Sequence, residues 1–350
     1  MRLLSWRPSI AAWTVWMIDE TVDRDSLLAA REALRAFPID AKSMEAIGIS
    51  ENLTFRVTDD SGRNYSLRLH RPGYNSLGEL ESERNWTAAL AESGMAVQQA
   101  LCTTRGDQFT HVDLPNEPHS RYAGMTTWLP GILLGDYLEN CTGAAERERR
   151  FRDIGRLAAR LHNQSEGWQP PSGFARPRLD IDGLLGAQPR WGRFWEHPAL
   201  GRDEKSLLLA TRTRLRDDLT HYGTDPQRFG LIHADLHPDN ILIDGDRLAL
   251  IDFDDSAFGW HLYDLASALI EYTLEPDFET SRQALLNGYR EERQLCTRDE
   301  ALLPGFLLLR GMALIGWFHD RPEHSGSPFF EQIKAWVLVE AARYAATNPG

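Results

Sequence analysis

The chain has 350 residues, 42% apolar and 25% charged, which is long enough to bury sizeable cores and typical of a globular enzyme. Its formal net charge of −13 argues against nucleic acid as a partner, since polyanion binding relies on clustered cations. Cys102, Cys141 and Cys296 are widely spaced, with no C-x-x-C among them; they suggest neither a zinc site nor a disulfide framework and suit a reducing cytoplasm.

The first 24 residues carry no clear pattern. They are mildly apolar but broken by Arg7 and Pro8, which makes a poor signal peptide. Over residues 26–37, Leu27, Leu28, Ala30, Leu34 and Phe37 fall near helical spacing, and Pro38 ends the run. Two strands are expected at 53–57 and 65–69, joined by the turn residues Asp59, Asp60, Ser61 and Gly62. In the second strand Tyr65, Leu67 and Leu69 share one face, and Ser66, Arg68 and His70 the other. Residues 76–90 turn helical on Leu77, Leu80, Trp86 and Leu90, with Glu79, Glu81 and Glu83 along the helix. Strands resume at 97–102, 107–114 and 121–129. A long amphipathic helix is expected over 144–162, its stripe made by Ile154, Leu157, Ala158 and Leu161. Residues 169–178 read as a loop, 179–200 are rich in tryptophan with weak periodicity, and 207–222 read as a helix. Asp264 opens a helix through Leu265, Ala268, Leu269 and Tyr272. From Asp277 onward the chain reads as helical, broken at Pro304 and around 322–328. The apolar run 302–318 contains Pro304 and Arg310, falls short of a membrane span and reads as a buried helix, so no membrane partner is expected.

The chemistry concentrates in residues 231–255, L-I-H-A-D-L-H-P-D-N-I-L-I-D-G-D-R-L-A-L-I-D-F-D-D. A polar loop with His233, Asp235, His237, Asp239 and Asn240 leads into a short apolar run. Asp244, Gly245 and Asp246 carry turn chemistry, and the chain returns through Leu248 to Ile251. A hairpin sets its two ends side by side, so Asn240 and Asp252 should lie close together, both offering oxygen. An amide oxygen and a carboxylate, with Asp235 in the same incoming loop, suit Mg²⁺, a hard cation that takes few protein ligands.

His233, Asp235, Asn240 and Asp252-Phe253-Asp254 follow the order of parts in eukaryotic-type kinases. The spelling H-A-D-L-H-P-D-N with I-D-F-D-D resembles the aminoglycoside phosphotransferase and choline kinase group, which includes some homoserine kinases and bacterial stress-response kinases. The resemblance implies a two-lobed, protein-kinase-like α+β fold. A helical extension would span residues 1–41 and a small antiparallel-sheet, nucleotide-binding lobe 42–129. A mainly helical lobe with the catalytic loop and acceptor site would span 130–350. It implies ATP as donor, Asp235 as catalytic base, and Asn240 and Asp252 as Mg²⁺ ligands. The segment Y-S-L-R puts Arg68 where the family has lysine, and S-E-R-N-W points to Glu83 as its partner. The turn I-G-I-S-E-N has a single glycine but is similar to the family's short S-E-N turn. It sets Ser50 and Asn52, with Ser66 on the Arg68 face of the strand, about the nucleotide. M-T-T-W-L-P-G resembles the hinge, where Thr127, Trp128 and Leu129 would read adenine through their backbone. His233 and Asp264, the latter in D-L-A, would brace the catalytic loop. Asp254 would touch the acceptor or order the loop.

Two rivals stand beside that reading. H-A-D-L-H also spells an H-x-D-x-H for a metal-assisted hydrolase, which needs further ligands that the later sequence, poor in histidine, does not offer. A nucleotide-binding pseudokinase would suit the single glycine and Arg68, but has no chemical need for Asp235, Asn240 and Asp252 together. Within the kinases, Asp252 is followed within twelve residues by the D-L-A helix, leaving no segment to dock a peptide. The expected acceptor is therefore a small hydroxyl compound (amino sugar, amino alcohol or homoserine-like), with a protein serine as the alternative; oligomeric state stays open.

Overall fold

The structure is a computed structural model that describes residues 23–49, 52–115, 117–324 and 326–346. Its first elements are α1 (Arg24–Leu34), β1 (Ala41–Ile49), β2 (Leu53–Asp59), β3 (Asn64–Leu69), α2 (Leu77–Glu92), β4 (Ala100–Leu101), β5 (Phe109–Val112), β6 (Arg121–Thr127), β7 (Ile132–Leu133) and α3 (Leu134–Glu139). There follow α4 (Ala144–Gly167), β8 (Arg178–Leu179), α5 (Ile181–Leu185), α6 (Arg202–Tyr222), β9 (Phe229–Ile232), β10 (Ile241–Asp244), β11 (Arg247–Leu250) and β12 (Ala257–Trp260). The chain closes with α7 (His261–Leu269), α8 (Phe278–Glu292), α9 (Thr297–His319) and α10 (Pro328–Ala346). They divide into two units. One comprises the chain up to Asn140 with Gln169–Arg176 and Pro238–Asp254; the other comprises Cys141–Trp168, Pro177–His237 and the chain from Asp255.

The first unit is built on an antiparallel sheet in the order β1-β2-β3-β6-β4, with β5 also on β6. Alternation decides its buried face: Phe55 and Val57 of β2 and Tyr65, Leu67 and Leu69 of β3 form a core with Ala29, Ala30 and Ala33 of α1. β1 was not foreseen. It carries exposed Lys42, Ser43 and Glu45, and two register shifts against β2 break its alternation, so no period of two is visible. α2 starts on a capping box, in which Ser76 and Glu79 satisfy each other's backbone N–H. A second small sheet, β11-β10-β7, belongs to this unit.

The second unit is mainly helical, with one small sheet in the order β8-β12-β9. α4 and α8 approach closely: a Cβ on Gly155 would strike the Leu285 carbonyl, and one on Gly288 the Arg152 carbonyl. The break expected at Pro304 is absent, and α9 runs through it. Pro304 cannot bond the Glu300 carbonyl, at a cost of roughly 3 kcal/mol. Burying Leu303, Phe306, Leu307 and Leu308 around it, at about 1.5–3 kcal/mol each, outweighs that cost. By length and composition α9 also suffices to cross a membrane, contrary to expectation, but 72% of its apolar window is buried inside the protein, as in a core helix.

Candidate active site

In the first unit, β10 and β11 pair from Ile241↔Leu250 to Asp244↔Arg247. The loop is Gly245-Asp246, with Gly245 at φ +61 and Asp246 outside the left-handed region, as a type II′ hairpin requires. At the open end the Asn240 carbonyl accepts the Ile251 N–H at 3.0 Å, so Asp252 follows directly beside Asn240. Asp252 has φ +61, and its side chain is 41% exposed.

Arg68 on β3 reaches this hairpin end: its Nη1 donates to Asp252 Oδ1 at 2.8 Å and lies 3.4 Å from Asp254 Oδ1. Burial alone would lower the Arg68 pKa, but Asp252, Asp254 and Glu83 outweigh it and raise the pKa. Asp254 is the buried hub. Asn52 donates to its carboxylate, His70 Nδ1 lies 3.7 Å away, and Asn75 and Arg176 donate to its carbonyl. Burial raises the Asp254 pKa, yet Arg68, His70, Asn52 and Arg176 together hold it below the usual carboxylate range. His70 itself is pushed down to about 3 by burial, against the pull of Asp254.

Among the described residues no hydrogen bond or ion pair joins Arg68 to Glu83, the pair that the resemblance implies. The two aspartates of the hairpin end take the guanidinium instead. Glu83 is buried, its Oε2 has no hydrogen-bond partner, and burial followed by the charge of Asp254 raises its pKa to about 7. Asn52 also differs from expectation. Its amide is engaged at both ends, donating to Asp254 and accepting the Arg71 N–H at 3.0 Å. Ser66 is buried on β3, two residues before Arg68. Ser50 lies outside the described residues. At the hinge, the Thr127 N–H goes to the Gln99 carbonyl at 2.9 Å and its hydroxyl accepts the Gln99 N–H at 3.0 Å. Trp128 and Leu129 follow β6, with the Arg56 guanidinium 5.7 Å from the Trp128 ring centroid.

In the second unit, Asp235 follows β9 and its side chain is 23% exposed. Arg310 Nη2 of α9 donates to Asp235 Oδ1, and His237 Nε2 lies 3.3 Å from Oδ2. Burial raises the Asp235 pKa, but His237, Arg310 and His233 outweigh it, so the carboxyl stays ionised. The preceding residue, Ala234, has φ +68. Asp264 on α7 holds this loop: its carboxylate accepts the His233 N–H at 3.0 Å, the Ala234 N–H at 2.7 Å and a bond with His162 Nε2 at 3.0 Å. Burial pushes Asp264 up to about 6 against the pull of His233 and those N–H groups. These bonds run from the Asp264 carboxylate to the loop backbone at His233 and Ala234 and to the His162 ring.

Sequence reasoning missed Asn75, Arg176 and Arg310. Arg176 sits in a stretch read only as loop, and Arg310 in a run read only as apolar helix. Neither position carries a local signal, because each works through a partner tens of residues away in sequence.

Residues 44–299 match the phosphotransferase enzyme family. The homoserine kinase of Rhodopseudomonas palustris is 46% identical over 291 residues, covering 78% of this chain and 80% of that protein. Matches to the homoserine kinases of Rhizobium meliloti and Sinorhizobium medicae, 35% and 33% identical, span about half of those proteins, 52% each. Among solved structures, the microcompartment-associated aminopropanol kinase is similar with a TM-score of 0.76 and 31% identity, over 91% of this chain and 95% of that one. Amicoumacin kinase, solved with AMP-PNP and Ca²⁺, shares the fold at a TM-score of 0.73 and 20% identity, over 93% and 94%.

Proposed function

The chain belongs to the phosphotransferase enzyme family, with its kinase-like fold and its transfer of phosphate to a hydroxyl, and from that premise we propose that it moves the γ-phosphate of ATP onto a small-molecule alcohol. The observation that carries this reading is the hairpin end: Asn240 beside Asp252, with the Arg68 guanidinium bonded to Asp252. The donor set there is all oxygen, one amide and one carboxylate, which fits Mg²⁺ and leaves coordination positions for phosphates and water. When bound, the metal neutralises charge on the β- and γ-phosphate oxygens.

The chain's own residues supply the rest. Arg68 stays charged and, with donors beyond the one given to Asp252, steadies the nucleotide phosphates. Trp128 and Leu129 meet the adenine, since the Thr127 N–H is already engaged with Gln99. Asp235 accepts the acceptor hydroxyl and aims its oxygen at phosphorus. As an ionised and weakly basic carboxylate, it orients first and takes the proton late, which suits a loose phosphoryl transition state. The acceptors named by the relatives, homoserine and aminopropanol, support a small amino-bearing alcohol.

The test is coupled ADP release with Mg²⁺ against amino sugars, amino alcohols, hydroxy amino acids and a protein substrate. The expected result is ADP release that needs a small acceptor and stops with a chelator. Release with the protein substrate alone, or no release with any, contradicts it.

A further inference from the structure

Arg310 is a buried charge that the transfer chemistry above does not use. It stands within α9, more than nine-tenths buried, with its guanidinium carbon 5.7 Å from the Trp191 ring and 5.9 Å from the Tyr263 ring. Those two rings stack with centroids 6.0 Å apart and an interplanar angle of 10°. One guanidinium nitrogen is given to Asp235 Oδ1. The Arg310 Nε is buried without a hydrogen-bond partner, and the guanidinium and the Tyr263 hydroxyl act on each other as side-chain neighbours. An unpartnered guanidinium N–H beside an aromatic wall, next to the carboxylate that meets the hydroxyl, is costly unless a ligand satisfies it.

We propose that Arg310, with the Tyr263 hydroxyl, binds a carboxylate of the acceptor, so that the acceptor is a hydroxy amino acid and not a carboxylate-free amino alcohol or amino sugar. The assignment rests on the transfer reading above, in which Asp235 meets the hydroxyl. A guanidinium offers donors in a planar fork that matches a carboxylate, and it does not deprotonate in a protein. Because Arg310 and Asp235 are one hydrogen bond apart, the acceptor's carboxylate and hydroxyl are separated by only a short carbon chain. The charge of Asp255 acts on both Arg310 and Tyr263.

The test compares coupled ADP release with homoserine and serine against propanolamine and ethanolamine, the same two molecules without the carboxylate, with amino sugars alongside. The wild type is expected to favour one hydroxy amino acid over its decarboxylated partner by about 100-fold or more in kcat/KM. Arg310→Gln should raise KM for that acid by about 10- to 100-fold and close most of the gap, with Arg310→Lys restoring part of it. Tyr263→Phe should raise KM by a smaller factor. Equal use of the paired acceptors, preference for the carboxylate-free member, or an unchanged ratio in a folded Arg310→Gln overturns the assignment. If Arg310→Gln does not fold, as read by thermal melting, the wild-type ratio and Tyr263→Phe decide. Asp235-dependent ADP release with amino alcohols or amino sugars only would leave the transfer reading standing and sink this one. No release with any acceptor would sink both.

Discussion

Ala234 and Asp252 are the only non-glycine residues at positive φ among the described residues, and each borders the proposed chemistry. Such backbone costs a residue with a Cβ on the order of 1–2 kcal/mol, so it persists only where neighbours hold it. At Asp252 the neighbours are the hairpin and Arg68. Beside them Glu83 is buried with a pKa of about 7, above its ordinary 4.5. The folded protein therefore holds that proton more tightly than the unfolded chain does. The resulting stability is fully present below pH 4.5 and is lost as pH rises through 7, in all on the order of 3 kcal/mol. Glu83→Gln removes the titration, so the variant should gain on the wild type in melting temperature between about pH 5 and pH 8. Melting curves that stay parallel across that range would count against a buried Glu83 that holds its proton.

Asp264 does for the catalytic loop what the hairpin does for Asp252, through three bonds from one carboxylate on α7. Asp264→Ala leaves two buried N–H groups without acceptors, each worth about 1–3 kcal/mol, and should lower stability by about 3 kcal/mol in urea unfolding. Activity should fall further than stability, because Ala234 loses the bond that keeps it at φ +68. A loss below about 1 kcal/mol would show that the loop is held by something else. Elements of this kind were legible where the signal is local. Asp-Gly turn chemistry with Asn240 and Asp252 at its ends is written within a few residues, and so is the helix that holds D-L-A, although it starts at His261 and not at Asp264. β1 was not legible, because its bulges erase the alternation, and the passage of α9 through Pro304 is decided by burial that no local rule reports.

At the scale of the molecule, the chain passes from Asp235 in one unit to Asn240 in the other within one loop, so the order of parts was readable even though the long-range partners were not. Arg68 and Asp252 are 184 residues apart, and Arg310 and Asp235 are 75 apart; nothing in either neighbourhood announces the other. Glu83 shows the limit of reading partners from a motif: its helix position fits the family spelling, yet two aspartates from a distant hairpin take the arginine. The central claim is that Asp235 serves the phosphoryl step and not the binding of nucleotide. It is tested most directly by measuring ATP binding and acceptor-dependent ADP release in Asp235→Ala. ATP affinity is predicted to stay within about twofold of wild type while ADP release falls by about 10³-fold. Turnover within about tenfold of wild type, or activity that needs no ATP in a protein carrying stoichiometric zinc, would contradict it.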